Sequence, residues 1–274
     1  MNDDVSDIAA FYNADPEREH FRLERHQLEY DLTWRYLNQY LPPQGSILEA
    51  GAGTGRYTVE LAKRGYRVTA VDMSAALLEE CRKSIADAGL QRQVRFILAD
   101  VRDLSEVAEK GFDAALLMGP LYHLIVETDR KLALKEAFDR LKEGGIQFSA
   151  FISRFGIMGD LVKNVPNWIE DQVEVHSLLE LGYNPQEHPA GSFRGYFAKV
   201  SEIAPLHEMI GFETLTVAGV EPGISADDES YNKLEGKERQ LWLDLLYEIS
   251  TEKSIIGASR HLLYIGRKRR NFNE

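Results

Sequence analysis

The stretch Ser46–Asp72 most constrains the fold of this chain, because it places three glycines at alternate positions between two short apolar runs. A helical segment separates the glycines from the second apolar run, and that run stops at Asp72. The order strand, glycine turn, helix, strand and acid is typical of a βαβ unit with a ligand site at the carboxyl ends of its strands. Glycine is needed where the backbone adopts a positive φ or passes close to a ligand, so the turn predicts bare backbone against a cofactor. An acid at the end of the second strand is suited to accept hydrogen bonds from ribose hydroxyls.

The spacing of the glycines indicates which cofactor the turn receives. A dinucleotide fingerprint, G-x-G-x-x-G, needs its third glycine where the helix packs on the first strand. Counted from Gly51 that position is Arg56, and counted from Gly53 it is Thr58. The dinucleotide fingerprint is therefore incomplete.

The string E-A-G-A-G-T-G over residues 49–55 resembles motif I, E/D-x-G-x-G-x-G, of the class I S-adenosylmethionine-dependent methyltransferases. The resemblance covers roughly residues 45–152 and 201–220 plus the last strand. It implies an α/β fold, a doubly wound and mostly parallel seven-stranded sheet of the Rossmann-like methyltransferase type. It implies S-adenosylmethionine as the cofactor, bound at the carboxyl ends of strands one to four. The cofactor-binding positions carried over by the resemblance are Glu49, Gly51, Ala52, Gly53, Gly55, Asp72, Met73, Asp100, Val101 and Met118.

The resemblance also gives these positions separate roles. The glycine turn lines the methionine and ribose part, Asp72 accepts hydrogen bonds from the ribose hydroxyls, and Met73 lies beside the adenine. Asp100 and Val101, just past the third strand, hold the adenine edge, and Met118 closes the site. An aspartate at a strand end is by itself more typical of a turn, so the role of Asp100 depends on its distance from Asp72 along the chain.

The fourth predicted strand is followed by Gly119-Pro120-Leu121-Tyr122 and then His123. In the family this is motif IV, where the methyl acceptor meets the donor. The tetrad lacks the Asn or Asp that amino-methylating nucleic-acid members have there, and Met118 and Gly119 offer no ligand for a metal of the catechol-type members. No spacing of ligand residues elsewhere predicts a metal site. His123 is the candidate general base, although a structural histidine is at least as strong an alternative, and Tyr122 is the candidate that either orients the substrate or stacks on the cofactor.

A helical lid is predicted for residues 1–44, because apolar residues recur every four positions before a pair of prolines. The bland alternative is a helix that only packs on the sheet. Tyr12, Arg22 and His26 are its candidate polar contributors to a site.

A cap insertion is predicted for residues 153–200, because they interrupt the alternation of strands and helices. A surface excursion or a dimer contact is the alternative. The polar and aromatic candidates in the cap are Arg154, Trp168, His176, His188, Arg194 and Tyr196. Residues 45–152 and 201–274 then form the methyltransferase core, within one structural domain overall.

Charge and composition restrict the classes of partner expected for this chain. The net charge is −12, from 32 basic and 44 acidic residues, and such a surface repels phosphate backbones, so nucleic acid is not expected as a partner. No apolar run reaches the ~20 residues that span a bilayer, and no signal peptide is apparent, so no membrane partner is expected. The single cysteine, Cys81, permits no intramolecular disulfide, which favours the cytoplasm. We expect a small-molecule methyl acceptor and a monomer or homodimer.

Two other functions fit the same glycine motif. One is an NAD(P)-dependent oxidoreductase with a degenerate glycine loop, and Arg56 and the absence of a Tyr-x-x-x-Lys pair after the fourth strand weigh against it. The other is a non-catalytic module that binds S-adenosylmethionine, and no feature of the sequence excludes it.

Overall fold

An eight-stranded sheet forms the centre of the molecule. The computed structural model describes residues 3–16, 25–183, 194–224 and 227–269. The strands are β1 Ser46–Ala50, β2 Arg67–Asp72, β3 Val94–Leu98, β4 Phe112–Leu117, β5 Leu141–Ser153, β6 Phe197–Ala198, β7 Phe212–Gly219 and β8 His261–Lys268.

Helices connect and cover these strands. They are α1 Ser6–Ala14, α2 Gln27–Tyr40, α3 Arg56–Lys63, α4 Ala75–Asp87, α5 Glu127–Arg140, α6 Met158–Asn164, α7 Gln172–Leu181, α8 Val200–Glu208, α9 Asp228–Asn232 and α10 Gly236–Ile249. Short 3-10 turns lie at Pro120–Tyr122, Pro166–Glu170 and Ile256–Ala258. Within the described ranges, no helix combines the length and the apolar character needed to cross a membrane.

The strand order is β3-β2-β1-β4-β5-β8-β7, with β6 beside β5. Strands β1 to β5 run parallel, whereas β8 runs antiparallel to both β5 and β7. The strand order reverses between β1 and β4, and in such sheets ligands bind in the crevice outside the carboxyl ends at that point. The predicted doubly wound, mostly parallel sheet is confirmed: its seven strands form this path, and the two-residue β6 adds an eighth.

Two apolar clusters pack on the sheet and explain why β1 has so few polar residues. Leu48 and Ala50 belong to one cluster and Ile47 to the other, so successive side chains of β1 are buried on opposite faces. A parallel strand buried on both faces reads as a continuous apolar run for this reason. Helix α2 adds Leu28 and Leu32 to the second cluster. Its apolar face therefore packs on the body of the protein.

Two local features of the fold differ from the local pattern of the sequence. Gly144 suits the end of the fifth helix by sequence, but α5 ends at Arg140, and Gly144 (φ +74°) lies within β5. Residues 221–234 read as a polar loop, but they contain α9. There the carboxylate of Asp227 accepts a hydrogen bond from the backbone N–H of Ser230, which caps the helix.

Candidate active site

The glycine turn between β1 and α3 forms one wall of a cavity at the carboxyl ends of the strands. Its three glycines have φ values of +83°, +57° and +86°, a region that favours glycine. Gly51 and Ala52 donate backbone hydrogen bonds to the carbonyl oxygen of Val71 at 2.8 and 2.9 Å, which fixes the turn to β2. A Cβ on Gly51 would overlap the ring of Pro120. The turn therefore touches the segment that follows β4, and a side chain at position 51 would separate the two.

The cavity brings together most of the residues selected from the sequence. The predicted cofactor residues that line it are Glu49, Gly51, Ala52, Gly53, Asp72, Met73, Val101 and Met118, and both catalytic candidates, Tyr122 and His123, line it too. One cavity thus contains the predicted donor site and the predicted acceptor side. The individual roles of these residues remain predictions.

Two predicted cofactor residues lie elsewhere. Gly55 begins α3, and a Cβ on it would overlap Sγ of Cys81, so its close approach is to α4 rather than to the cavity. The carboxylate of Asp100 pairs with the guanidinium of Arg102 at 2.6 Å, while its neighbours Ala99 and Val101 line the cavity.

Other lining residues were not selected from the sequence as cofactor residues. They are Val5, Ile8, Tyr12, Thr54, Arg56, Tyr57, Leu77, Ala99, Gly119, Pro120 and Leu124. Val5, Ile8 and Tyr12 share one side of α1 at spacings of three and four residues, a helical signal that the acidic composition of the segment obscures. Helix α1 is therefore a wall of the cavity. Arg22 and His188, two other candidates, lie outside the described residues.

Asp72 is oriented by backbone donors on both sides. One of its carboxylate oxygens accepts a hydrogen bond from the N–H of Gly53 at 2.8 Å, and the other accepts one from the N–H of Ser74 at 2.8 Å. Its side chain lines the cavity although the residue is only 8% exposed. Each carboxylate oxygen has two acceptor sites, so the group can still receive a pair of hydroxyls.

Glu49 is a buried acid at the floor of the cavity. Burial raises the pKa of its carboxyl group to about 8; the hydroxyl of Thr58 opposes that shift, and the nearby carboxylate of Asp72 adds to it. The Thr58 hydroxyl donates to this carboxyl group at 2.6 Å. A cation bound beside Glu49 would favour its ionised form.

His123 is held between two polar partners. Its Nδ1 lies 3.0 Å from the carbonyl oxygen of Arg194, and its Nε2 lies 2.7 Å from the hydroxyl of Tyr12. A carbonyl oxygen can only accept, so Nδ1 carries the hydrogen and the Nε2 of a neutral ring accepts from Tyr12. The candidate base His123 therefore contacts the phenol of Tyr12, a residue of α1 that also lines the cavity.

The predicted cap contacts this site through Arg194. Its guanidinium donates to the carbonyl oxygen of Asp4 at 2.6 Å and to the carboxylate of Asp7 at 3.0 Å, and it also pairs with Asp3. The same residue accepts from His123, so it links the lid to the catalytic candidate. Arg154, by contrast, is 1% exposed and donates to the carbonyl oxygens of residues 180 and 197, so its charge serves the packing of the cap.

The position of the cavity, at the switch point of a doubly wound sheet, is typical of the α/β proteins that bind nucleotide cofactors. Within that class, the family model of the methyltransferase domain matches residues 47–145. The chain is 25% identical over 138 residues to the tRNA 5-carboxymethoxyuridine methyltransferase of Escherichia coli K12. The aligned region covers 48% of this chain and 51% of that protein. The chain is 26% identical over 188 residues to the glycine/sarcosine N-methyltransferase of Aphanothece halophytica, covering 63% of this chain and 68% of that protein. The chain thus spans about half the length of the first of these relatives and about two thirds of the second.

A solved structure shows the same fold. The 1,6-didemethyltoxoflavin-N1-methyltransferase of Burkholderia thailandensis, with bound 1,6-didemethyltoxoflavin and S-adenosylhomocysteine, aligns with a TM-score of 0.57 at 17% identity. The alignment covers 98% of this chain and 92% of that one. The family model and these relatives support a class I S-adenosylmethionine-dependent methyltransferase domain over residues 47–145, with S-adenosylmethionine as its cofactor.

Proposed function

We propose that this chain transfers the methyl group of S-adenosylmethionine to a small-molecule acceptor. The observation that carries the proposal is the single cavity that contains the glycine turn, Asp72 and the Tyr12–His123 pair. A methyl donor bound by the first two would share that space with a group able to receive a proton. Methyl transfer is an in-line displacement, so the protein mainly has to align the two reactants and exclude water.

The residues of the cavity fit the cofactor. A Cβ on Gly53 would meet no protein atom within 4 Å, so the turn leaves open space beside bare backbone. Asp72 offers an oriented carboxylate for a diol, and Glu49 offers a buried acid for a positive charge. When bound, S-adenosylmethionine supplies a methyl group activated by a positively charged sulfur.

Tyr12 and His123 form a short proton relay. As the acceptor atom forms its bond to the methyl carbon, its proton passes to the phenol oxygen of Tyr12, whose own proton passes to Nε2 of His123. The resulting imidazolium keeps its Nδ1–H on the carbonyl oxygen of Arg194. Charge is conserved in this step, since the positive charge lost by sulfur appears on the imidazole.

Tyr122 lies beside His123 at the cavity. Its ring centroid lies 4.8 Å from that of His123, and the backbone carbonyl of Tyr122 accepts a hydrogen bond from the N–H of Tyr196 at 2.6 Å. The residue is 8% exposed and lines the cavity. We therefore assign it to substrate positioning rather than to proton transfer.

Two features support a small acceptor over RNA. The net charge of −12 opposes the approach of a phosphate backbone. The cavity is also walled by the lid helix α1, whose Val5, Ile8 and Tyr12 line it. The relatives include one named for a tRNA and one named for glycine and sarcosine, so both kinds of acceptor belong in the test.

The first experiment measures cofactor binding by isothermal titration calorimetry against S-adenosylmethionine, S-adenosylhomocysteine and NAD. We expect binding of the first two, no binding of NAD, and a loss of about 100-fold in affinity in Asp72→Ala, because a charged hydrogen-bond acceptor contributes about 1.5 to 3 kcal/mol. Asp87→Ala, an exposed carboxylate at the end of α4, is the matched control. If Asp72→Ala bound these ligands with wild-type affinity, Asp72 would not be part of the donor site.

The second experiment screens labelled-methyl transfer over metabolite pools and over tRNA. Label in a small molecule supports the proposal. Label found only in tRNA would contradict it and would make RNA the acceptor. Tyr12→Phe and His123→Gln should lower kcat on that acceptor by about 10²- to 10⁴-fold with S-adenosylhomocysteine affinity unchanged. Tyr247→Phe on α10 is the control. Unchanged kcat and an unchanged pH–rate profile in both variants would exclude the relay.

A further inference from the structure

A second group of ionisable side chains lies outside the cofactor cavity, at the edge where β5 and β7 end and β8 begins. Within the described residues, two sets of three side chains there bring possible metal ligands within 4.8 Å of one another. The outer set consists of His26, Glu221 and Asp228. The inner set consists of Glu29, Glu221 and His261. The two sets share Glu221 but differ in what neutralises them.

The outer set already contains a cation of the protein itself. One terminal nitrogen of the Arg260 guanidinium lies 2.8 Å from Nδ1 of His26 and 2.9 Å from a carboxylate oxygen of Asp228. The same nitrogen also bonds one oxygen of Glu221. The guanidinium nitrogen thus stands among all three ligand atoms, and no space is left there for an ion.

The inner set has the spacing of ligands around one ion. Nδ1 of His261 lies 3.0 Å from a carboxylate oxygen of Glu221 and 3.4 Å from one of Glu29. Two ligand atoms bound tetrahedrally at about 2.0 to 2.2 Å from a metal are themselves about 3.4 Å apart. The distance to Glu29 exceeds the usual 2.7 to 3.2 Å of an N–H···O hydrogen bond. The contact to Glu221 has the length of a hydrogen bond and that to Glu29 does not, and both distances are compatible with ligand atoms that share one ion.

Burial strengthens this interpretation. Glu29 is 5% exposed, Glu221 is 0% exposed and His261 is 9% exposed. The guanidinium of Arg260 pairs with Glu221, and a divalent ion would add a positive charge between Glu221 and Glu29. A divalent ion satisfies both carboxylates and the imidazole nitrogen at once.

The ligands of the inner set are held by outer partners, as metal ligands usually are. The second oxygen of Glu221 is bonded by Arg260, and its backbone N–H donates to the hydroxyl of Ser259 at 2.8 Å. The backbone N–H of His261 donates to Glu221 at 2.9 Å. These contacts fix Glu221 and His261 before any ion arrives.

We propose that Glu29, Glu221 and His261 bind one divalent transition-metal ion. One imidazole and two carboxylates suit Zn²⁺, Mn²⁺ or Fe²⁺, and three protein ligands leave a coordination position open for a further ligand. His261 pairs with Ile152 at the end of β5, and Ile152 packs in one apolar cluster with Tyr122. The site therefore lies on the same edge of the sheet as the methyl-transfer cavity and is independent of the cofactor for its ligands.

The test titrates the full chain, first stripped with a chelator, with Zn²⁺ by calorimetry and with Co²⁺ by absorption spectroscopy, in the absence of cofactor. We expect one ion per chain, and affinity at least tenfold weaker in Glu29→Gln and in His261→Ala. His176→Ala, an exposed histidine on α7, is the matched control and should bind as wild type. Asp228→Asn separates the two sets, and we expect its affinity to stay within about threefold of wild type.

Three results would overturn the site. They are no binding of either ion at millimolar concentration, wild-type binding in both Glu29→Gln and His261→Ala, or a loss confined to Asp228→Asn. S-adenosylhomocysteine titration of each variant reports folding without using the metal. It also keeps failure of this site distinct from failure of the proposed methyl transfer.

Discussion

The two halves of the sheet stabilise their polar residues by different means. On the cofactor side, formed by β1 to β4, Asp72 accepts hydrogen bonds from the backbone N–H groups of Gly53, in the glycine turn of the same βαβ unit, and of Ser74, two residues later. On the far side, formed by β5, β8 and β7, a terminal nitrogen of Arg260 contacts carboxylates and a histidine from distant segments, including His26. The first arrangement follows from a local turn, whereas the second exists only in the folded chain.

This difference has a consequence for stability. A carboxylate bonded to backbone N–H groups keeps its partners as long as the turn is intact. A buried guanidinium surrounded by acids is stabilised by side chains of other segments. Removal of one partner leaves the remaining charges buried and uncompensated. Substitutions on the far side should therefore cost more folding free energy, and those on the cofactor side should cost more binding.

The largest expected effect is that of Arg260→Met on the far side. The substitution leaves Glu221, which is 0% exposed, without its guanidinium partner, so we expect a loss of about 3 to 5 kcal/mol in the free energy of unfolding. Urea denaturation measures it. Arg95→Met removes an exposed ion pair with Glu109 and should change stability by no more than about 1 kcal/mol. Equal effects of the two substitutions would remove the contrast between the halves.

The second effect compares two glycines of the same turn. Gly51→Ala adds a Cβ that overlaps Pro120 at a φ of +83°, so strain and overlap together should cost about 2 to 4 kcal/mol. Gly53→Ala adds a Cβ in open space at a φ of +57°, so it should cost only about 1 to 2 kcal/mol. Thermal and urea unfolding give both values. A larger cost at Gly53 would contradict the described path of the turn.

The third effect is a pH dependence from Glu49. Its pKa is raised from 4.5 to about 8 by burial, so the folded chain keeps a proton that the unfolded chain loses between these pH values. Stability should therefore fall as the pH rises through this window, by up to about 1.4 kcal/mol per pH unit. Glu49→Gln, which mimics the protonated form, should flatten that part of the profile in urea unfolding at several pH values. Glu106→Gln, at an exposed position, should leave the profile unchanged.

The smallest effect concerns the contact between lid and cap. Arg194→Ala removes the ion pairs with Asp3 and Asp7, and the latter is half-exposed, so stability should change by no more than about 1 kcal/mol. Affinity for S-adenosylhomocysteine should fall about twofold to fivefold at low salt and less at high salt, because salt screens such pairs. Calorimetry at two salt concentrations measures it, with Arg67→Ala as the control. A salt-independent loss would mean that Arg194 acts through packing.

Much of the cofactor side could be predicted because its signals are local. Residues 49–55 and Asp72 lie within one βαβ unit, and the alternation of apolar runs and helical segments fixes the order of β1 to β5. Asp100 shows the limit of such reasoning. Its position after β3 matches the adenine contact that the family resemblance predicts, but the guanidinium of Arg102, two residues later, donates hydrogen bonds to its carboxylate. A competing partner of this kind does not change the spacing of a motif.

The lid and the far side could be predicted only in part. The sequence gives Tyr12 as a polar residue of the lid, yet its bond to His123 joins positions 111 residues apart. The absence of a metal motif in the sequence likewise reflects spacing, since the proposed ligands Glu29, Glu221 and His261 come from three separate segments.

By itself, the sequence determined the doubly wound sheet, the glycine turn and the class of cofactor, because backbone conformation and apolar periodicity act over a few residues. The tertiary structure alone decided which tautomer His123 adopts, which acids surround Arg260, and that Glu29 meets His261. Those properties depend on distances between side chains far apart in the chain. Such distances are fixed only when the sheet has formed and burial has removed water from between the charges.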